Sequence, residues 1–135
     1  MQARKQVLLY LAVLCVSVCA EAVGPTATAQ FFVKDLETHK RTPALEARLD
    51  QYVCLSIQAS LVPEGEHTFQ VTIYDGEGRE VDRFTSRRNA SGPSLGYGVC
   101  SGFDEDYDAA GTWWYVVELD GEPLVSESIE IRPID

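Results

Sequence analysis

The chain has 135 residues, the length of a single small domain, and it is strongly acidic. Its 21 acidic and 11 basic side chains give a formal net charge of −10 at pH 7. Nucleic acids and anionic lipid surfaces attract positive protein surfaces, so this charge argues against both as partners. An excess of acidic side chains also keeps a small protein soluble, which is the simplest reason for it here.

The N-terminus has the parts of a secretory signal peptide. Arg4 and Lys5 form a basic start, and residues 7–20 form an apolar run that is shorter than the ~20 residues of a membrane-spanning helix. An A-x-A motif ending at Ala22 suits signal peptidase. We therefore expect residues 1–22 to be a cleaved signal peptide. The mature protein would be periplasmic or secreted, and not inserted in a membrane.

Cleavage would change both the charge and the cysteine count. The mature chain would keep 9 basic and 20 acidic side chains, a net charge of −11, because Arg4, Lys5 and Glu21 would be removed. Cys15 and Cys19 would leave as well, and since neither follows a small residue, we expect no lipoprotein anchor. The two cysteines that remain would be in an oxidising compartment, where pairing is the usual outcome.

Alternating apolar and polar residues predict a series of β-strands. Residues 23–30 are small and polar, and we expect them to form a flexible tether. Period-two patterns then run through residues 51–61, 68–74 and 95–100. Residues 87–94 are rich in turn formers and predict a loop.

The same alternation places the two remaining cysteines. Cys54 lies on the strand face opposite Leu55, and Cys100 lies on the face opposite Val99. A disulfide that joins two sheets through the core, as in antibody domains, would need both cysteines on buried faces. We therefore predict a disulfide between Cys54 and Cys100 that joins adjacent strands on an outer face. Closing a loop of this length contributes about 4 kcal/mol in the chain-entropy model.

The last hairpin needs a register correction. Trp113 and Ile129 both belong on the core face by their alternation patterns. A two-residue Asp-Gly loop at 120–121 would instead pair Trp113 with residue 128 and turn Ile129 outward. A three-residue loop, or a bulge near Pro123, would restore the register, and the sequence leaves both open.

About seven extended segments and no convincing long amphipathic helix predict the fold class. We expect an all-β chain with one antiparallel two-sheet sandwich of the immunoglobulin or fibronectin type, at residues 31–135. One segment stays open, because Thr42 and Pro43 fit either the start of a short helix or an extended edge strand.

The C-terminal third has an aromatic-Asp-Glu turn, a Gly-x-Trp strand and a Gly-containing hairpin before a final apolar strand. The residues of this pattern, with a Gly-Tyr pair before it, are Gly96, Tyr97, Phe103, Asp104, Glu105, Gly111, Thr112, Trp113, Gly121, Ile129 and Ile131. The pattern resembles a family of small bacterial immunoglobulin-like domains of uncharacterised function. This resemblance implies a β-sandwich, no known activity and no catalytic residue.

An acidic turn is the one candidate metal site in the sequence. Its aspartates alternate at positions 104, 106 and 108, and carboxylates at this spacing in a loop can bind Ca²⁺ through oxygen. The standard helix-loop-helix calcium motif would need Gly and Glu where Ala109 and Tyr115 stand. An acidic solvated turn is the simpler interpretation, so we expect no cofactor and keep a non-standard Ca²⁺ site as the alternative. The four residues are Asp104, Glu105, Asp106 and Asp108.

No pattern of catalytic residues is present. His39 and His67 are the only histidines, and neither has a cysteine at metal spacing, which argues against zinc. No nucleophile elbow, metalloprotease motif or phosphate-binding glycine loop occurs. We expect no enzyme, and no concave pocket that holds either histidine beside a carboxylate. Asn89 begins a glycosylation sequon, which matters only if the source glycosylates exported proteins.

The remaining candidates are surface features. Trp114 and Val116 alternate away from the core face, and Arg83, Arg87 and Arg88 form a basic cluster. We predict these five residues as an interaction surface, with Trp114 partly exposed. The predicted function is an exported, non-catalytic β-sandwich module that binds another exported protein or has an accessory role. The alternatives are a binder of Ca²⁺ or a small ligand, and a hydrolase or an inhibitor of one.

Overall fold

The computed structural model describes residues 24–134, which form nine β-strands and no helix. The predicted signal peptide lies outside the described residues. Seven strands have seven or more residues, and two have three residues each. The strands are β1 Thr26–Lys34, β2 Arg41–Pro43, β3 Glu46–Arg48, β4 Tyr52–Ser60, β5 Gly65–Tyr74, β6 Glu80–Ala90, β7 Leu95–Ser101, β8 Gly111–Leu119 and β9 Glu122–Arg132.

The strands form two sheets. One has the order β2-β1-β4-β7 and the other the order β3-β9-β8-β5-β6. Neighbouring strands are antiparallel except for β3, which pairs in parallel with β9. The predicted all-β, two-sheet sandwich is confirmed. The count of about seven strands missed β2 and β3, which are too short to show an alternating pattern.

The predicted tether at residues 23–30 is wrong for most of its length. β1 begins at Thr26 and pairs with β4 along its whole length. Its Ala27 and Ala29 pack against the core. Small side chains give a weak hydrophobic alternation, so the sequence hides a strand whose order comes from backbone hydrogen bonds to β4.

Two edge strands clarify other ambiguous segments. β2 is the outermost strand of its sheet and contains Thr42 and Pro43, so this segment is an extended edge and not a helix. An edge tolerates proline, which has no N–H to donate.

β6 is the outermost strand of the other sheet and extends to Ala90, so the loop predicted at 87–94 begins after that residue. The polar residues that suggested a loop are those of a strand open to solvent.

The core lies between the sheets and takes one face of each long strand. Alternation places the large apolar side chains of β4, β5, β8 and β9 on that face, so they pack in a single cluster. The indole nitrogen of Trp113 donates a hydrogen bond to the Ala109 carbonyl at 2.7 Å, which satisfies its polar atom. The largest fully buried side chains are Trp113, Tyr115, Phe69, Leu55, Ile57, Ile73, Ile129 and Ile131.

The disulfide joins two strands of the same sheet. Cys54 in β4 is directly opposite Cys100 in β7, and their Cα atoms are 4.0 Å apart. Leu55 and Val99 are buried on the core face, so the two cysteines lie on the outer face. The predicted pairing and its face are both confirmed.

A β-bulge corrects the register of the last hairpin. β8 and β9 join through a two-residue turn at Asp120 and Gly121, which have φ angles of 53° and 82°, as a type I′ turn requires. The pairing then shifts by one residue next to Pro123, so that Trp113 lies opposite Ile129. Of the two predicted corrections, the bulge is the one that forms.

Candidate functional site

The outer face of the five-stranded sheet has a tryptophan near its centre. Trp114 in β8 lies opposite Tyr74 in β5, and in the next outward-facing row Val116 lies opposite Thr72. Arg83 in β6 lies on the other side of Thr72. We call this surface the Trp114 face and define it by these five residues. Trp114 is 48% exposed, in agreement with its predicted orientation, and Val116 is half-buried.

The three predicted arginines do not form one patch. Arg83 and Arg87 are on the outer face, where they form ion pairs with Glu80 and Glu66. Arg88 has the opposite parity in β6, and its guanidinium lies 5.2 Å from the centre of the Tyr97 ring, in a cation–π contact. Only Arg83 belongs to the Trp114 face. The alternation along β6 was the signal that separates Arg88 from the other two.

The acidic turn closes on itself. The Asp104 carboxylate accepts a hydrogen bond from the Asp106 amide at 3.0 Å, and the Asp108 carboxylate accepts one from the Asp104 amide at 2.6 Å. Glu105 makes no described hydrogen bond within the turn. Across residues 24–134, no three His, Cys, Asp or Glu side chains lie where they could jointly hold a metal ion. The geometry therefore gives no support to the Ca²⁺ alternative.

The turn between β5 and β6 is organised by a buried carboxylate. One oxygen of Asp75 accepts hydrogen bonds from the Glu77 and Arg79 amides, at 2.9 and 3.0 Å. The other accepts two from the Arg79 guanidinium, at 3.1 and 2.9 Å. Burial by itself would raise the pKa of Asp75, but these hydrogen bonds outweigh it and hold that pKa below its ordinary value. Arg79 also donates to the Tyr107 carbonyl at 3.3 Å, which connects this turn to the acidic turn.

A second buried polar group, His67, lies at the other end of β5, and its pairing with a carboxylate was not predicted from the sequence. His67 is 9% exposed. Its Nδ1 is 2.6 Å from a carboxylate oxygen of Asp120, and its Nε2 is 2.6 Å from the Pro63 carbonyl oxygen. The other Asp120 oxygen accepts the Thr68 amide at 2.8 Å. The hydrogen bonds that the His67 ring donates to Asp120 and to the Pro63 carbonyl outweigh burial and raise the pKa of His67.

A concave pocket of about 250 Å³ lies against this pair. Its walls are mostly apolar and include Pro25, Pro63 and Leu124, with His67, Asp120 and Glu122 as the polar groups. The expectation that no pocket would hold a histidine beside a carboxylate is therefore wrong. The two residues are 53 positions apart, and only the pairing of β5 with β8 brings them together.

The chemistry open to His67 is limited by its hydrogen bonds. A general base needs a ring nitrogen that is free to receive a proton from a substrate. Both nitrogens of His67 are occupied, one by Asp120 and one by the Pro63 carbonyl. This arrangement holds a side chain in place and does not present a reactive one.

Comparisons with known proteins find similarity in the fold only. No family model matches this chain, and no curated protein matches it. An immunoglobulin-like protein from Pseudomonas aeruginosa is 12% identical, with a TM-score of 0.47 over 82% of this chain and 98% of that one. A Pseudomonas fluorescens alkylpurine DNA glycosylase, solved bound to DNA containing an abasic site analog, is 16% identical, with a TM-score of 0.54 over 78% of this chain. This chain spans 30% of the glycosylase.

Residues 24–134 offer no helix that could cross a membrane.

Proposed function

We propose that this chain is an exported, non-catalytic β-sandwich module that binds another exported protein through the Trp114 face. The observation that carries the proposal is Trp114 itself, which is 48% exposed at an internal position of a regular strand. Tryptophan is among the residues that contribute most to binding energy in protein interfaces. An outward strand position could equally hold threonine, so β-strand formation alone does not require an aromatic there.

The surroundings of Trp114 suit a protein partner. β8 is paired on both sides, with β9 and with β5, so Trp114 stands on a backbone that loses little freedom on binding. Tyr74 and Val116 add aromatic and apolar area beside it. Arg83 is a residue type enriched at interfaces, and its ion pair with Glu80 holds it in position.

Two independent features support export. Residues 1–22 have the composition and cleavage pattern of a signal peptide. The disulfide between Cys54 and Cys100 is of a kind that persists in oxidising compartments and is rare in the cytosol. Sequencing the N-terminus of the protein recovered from the exported fraction should give a chain that begins at Val23.

Photocrosslinking in the source cells tests the interaction. A photoreactive amino acid at position 114 should give a crosslink to one exported protein. The same amino acid at position 45, where Leu45 is 90% exposed in a loop, should not. Equal crosslinking from both positions would contradict a dedicated surface.

Affinity measurements with the crosslinked partner then test the role of the tryptophan. Trp114→Thr should weaken binding at least about tenfold, because losing a hot-spot side chain costs more than about 1.4 kcal/mol. Leu45→Thr is the matched control and should change the affinity by less than about twofold. An unchanged affinity for Trp114→Thr, with an unchanged melting temperature, would overturn the proposal.

A further inference from the structure

His67 lies where three segments of the chain meet. It lies near the start of β5. Its Nε2 contacts Pro63 in the preceding loop, and its Nδ1 contacts Asp120 in the turn between β8 and β9. Thr68, the next residue, adds two hydrogen bonds to Asp120. Its amide donates to the Asp120 carboxylate at 2.8 Å, and its carbonyl accepts from the Asp120 amide at 2.9 Å. The pair is thus the main polar link between the loop, the turn and the sheet.

The two partners of the ring determine its protonation. A peptide carbonyl and a carboxylate are acceptors only, so each ring nitrogen must carry a hydrogen to bond to its partner. Both hydrogen bonds exist together only in the imidazolium form of His67. In the neutral form one of the two contacts becomes a repulsion between lone pairs, and that contact must lengthen or break.

We infer that His67 is a pH-sensitive clamp that holds the Pro63 loop and the Asp120 turn against β5. In the protonated form it fixes both walls of the adjoining pocket, which include Pro63 and Asp120. When His67 loses its proton, one wall is released.

The charges around the clamp favour the imidazolium. Asp120 is the direct ion pair, and Glu122 of β9 lines the same pocket. Glu64 and Glu66 precede His67 in the chain, and Glu66 is paired with Arg87 of β6. Arg88 of β6 is opposite His67 in the register, and its guanidinium is turned over the Tyr97 ring. The Asp120 carboxylate, in direct contact with the ring, is the charge that acts most strongly on His67.

The direction of the pH effect follows from the two pKa values. The pKa of His67 is raised from 6.5, so its contribution to stability is complete below pH 6.5 and is lost as the pH rises through the folded-state value. The pKa of Asp120 is lowered from 3.8, chiefly by the His67 hydrogen bond, so its contribution is present above pH 3.8 and is lost as the pH falls through the folded-state value. The clamp is therefore strongest between about pH 4 and pH 6.5.

Ring ¹⁵N chemical shifts of the folded protein test the protonation state directly. The midpoint of the His67 titration should lie above 6.5, the ordinary pKa value for histidine. Both ring nitrogens of His67 should show the same midpoint, because the loss of one proton from the imidazolium changes the chemical shift of each. A His67 midpoint at or below 6.5 would overturn the inference.

The linkage to stability is tested by chemical denaturation as a function of pH. Above pH 6.5 the unfolding equilibrium constant of the wild type should rise by up to about tenfold per pH unit, the limit for one linked proton. His67→Gln should lose this slope, and His39→Asn should keep it. If His67→Gln does not fold, Asp120→Asn provides the second variant, and it should lower the His67 midpoint. Equal slopes in wild type and His67→Gln, or an unchanged midpoint in Asp120→Asn, would contradict the clamp.

Discussion

Two Asp-Gly turns lie at opposite ends of β5, and they are held in different ways. At one end Asp75 binds partners within four residues, namely the Glu77 amide and the amide and guanidinium of Arg79. At the other end Asp120 reaches back more than 50 residues to His67 and Thr68. The first turn is built from a local segment, and the second exists only once β5 and β8 have paired.

The difference also concerns the partner's chemistry. Arginine stays charged at every pH that a folded protein meets, whereas histidine titrates near neutrality. The Asp75 turn is therefore constant on the alkaline side, and the Asp120 turn is not. The turn at one end of β5 therefore keeps its hydrogen bonds as the pH rises, while the turn at the other end responds to pH.

The largest expected effect is at Gly76, in the first of the two turns. A Cβ on Gly76 would lie 2.1 Å from the Ala110 carbonyl oxygen, so Gly76→Ala should cost at least about 3 kcal/mol. Gly121 has open space around it and a φ of 82°, so Gly121→Ala should cost only about 1 kcal/mol of left-handed strain. Urea denaturation measures both. Equal costs would show that the close approach to Ala110 does not constrain the first turn.

Removing the charge of each aspartate should have the next largest effect. Asp75 has a fully buried side chain, so Asp75→Asn should cost about 2 kcal/mol at pH 7, because it weakens several charge-assisted hydrogen bonds. The Asp120 side chain is 47% exposed, so Asp120→Asn should cost less than about 1 kcal/mol. The free energy of unfolding at constant pH separates the two. A larger cost at Asp120 would reverse the comparison.

Hydrogen exchange should distinguish the turns by pH. The Thr68 amide reports on Asp120, and the Arg79 amide reports on Asp75. As the pH rises above 6.5, the opening free energy at Thr68 should fall, while that at Arg79 should fall only with global stability, because the Asp75 turn contains no histidine. Parallel changes at both amides, beyond the change in global stability, would show that the turns are not independent.

Calcium should have the smallest effect. In the acidic turn, next to the Asp75 turn, the Asp104 and Asp108 carboxylates already accept hydrogen bonds from amides of the same turn. We expect millimolar Ca²⁺ to leave the melting temperature unchanged, with Mg²⁺ at equal ionic strength as the control. A rise specific to Ca²⁺ would revive the acidic turn as a ligand site and would couple it to Asp75 through Arg79.

The candidate surface was only partly predictable from the sequence. The outward orientation of Trp114 follows from its place next to Trp113 in a strand, because neighbouring side chains point to opposite faces. The basic cluster was misjudged as one patch, although the alternation along β6 already separates Arg88 from Arg83. The neighbours of Trp114 on other strands, such as Tyr74, depend on the pairing of β5 with β8 and could not be known in advance.

The sequence by itself determined the features that follow from period-two alternation of apolar and polar residues. It assigned the faces of the long strands, the outer-face disulfide between Cys54 and Cys100, and the need for one extra residue in the last hairpin. Alternation reports the face of a residue and is silent about the strand opposite. The tertiary structure therefore decided that a bulge next to Pro123 supplies the correction and that residues 26–30 are a strand. It also decided that His67 meets Asp120, because that contact spans 53 residues and depends on which strands become neighbours.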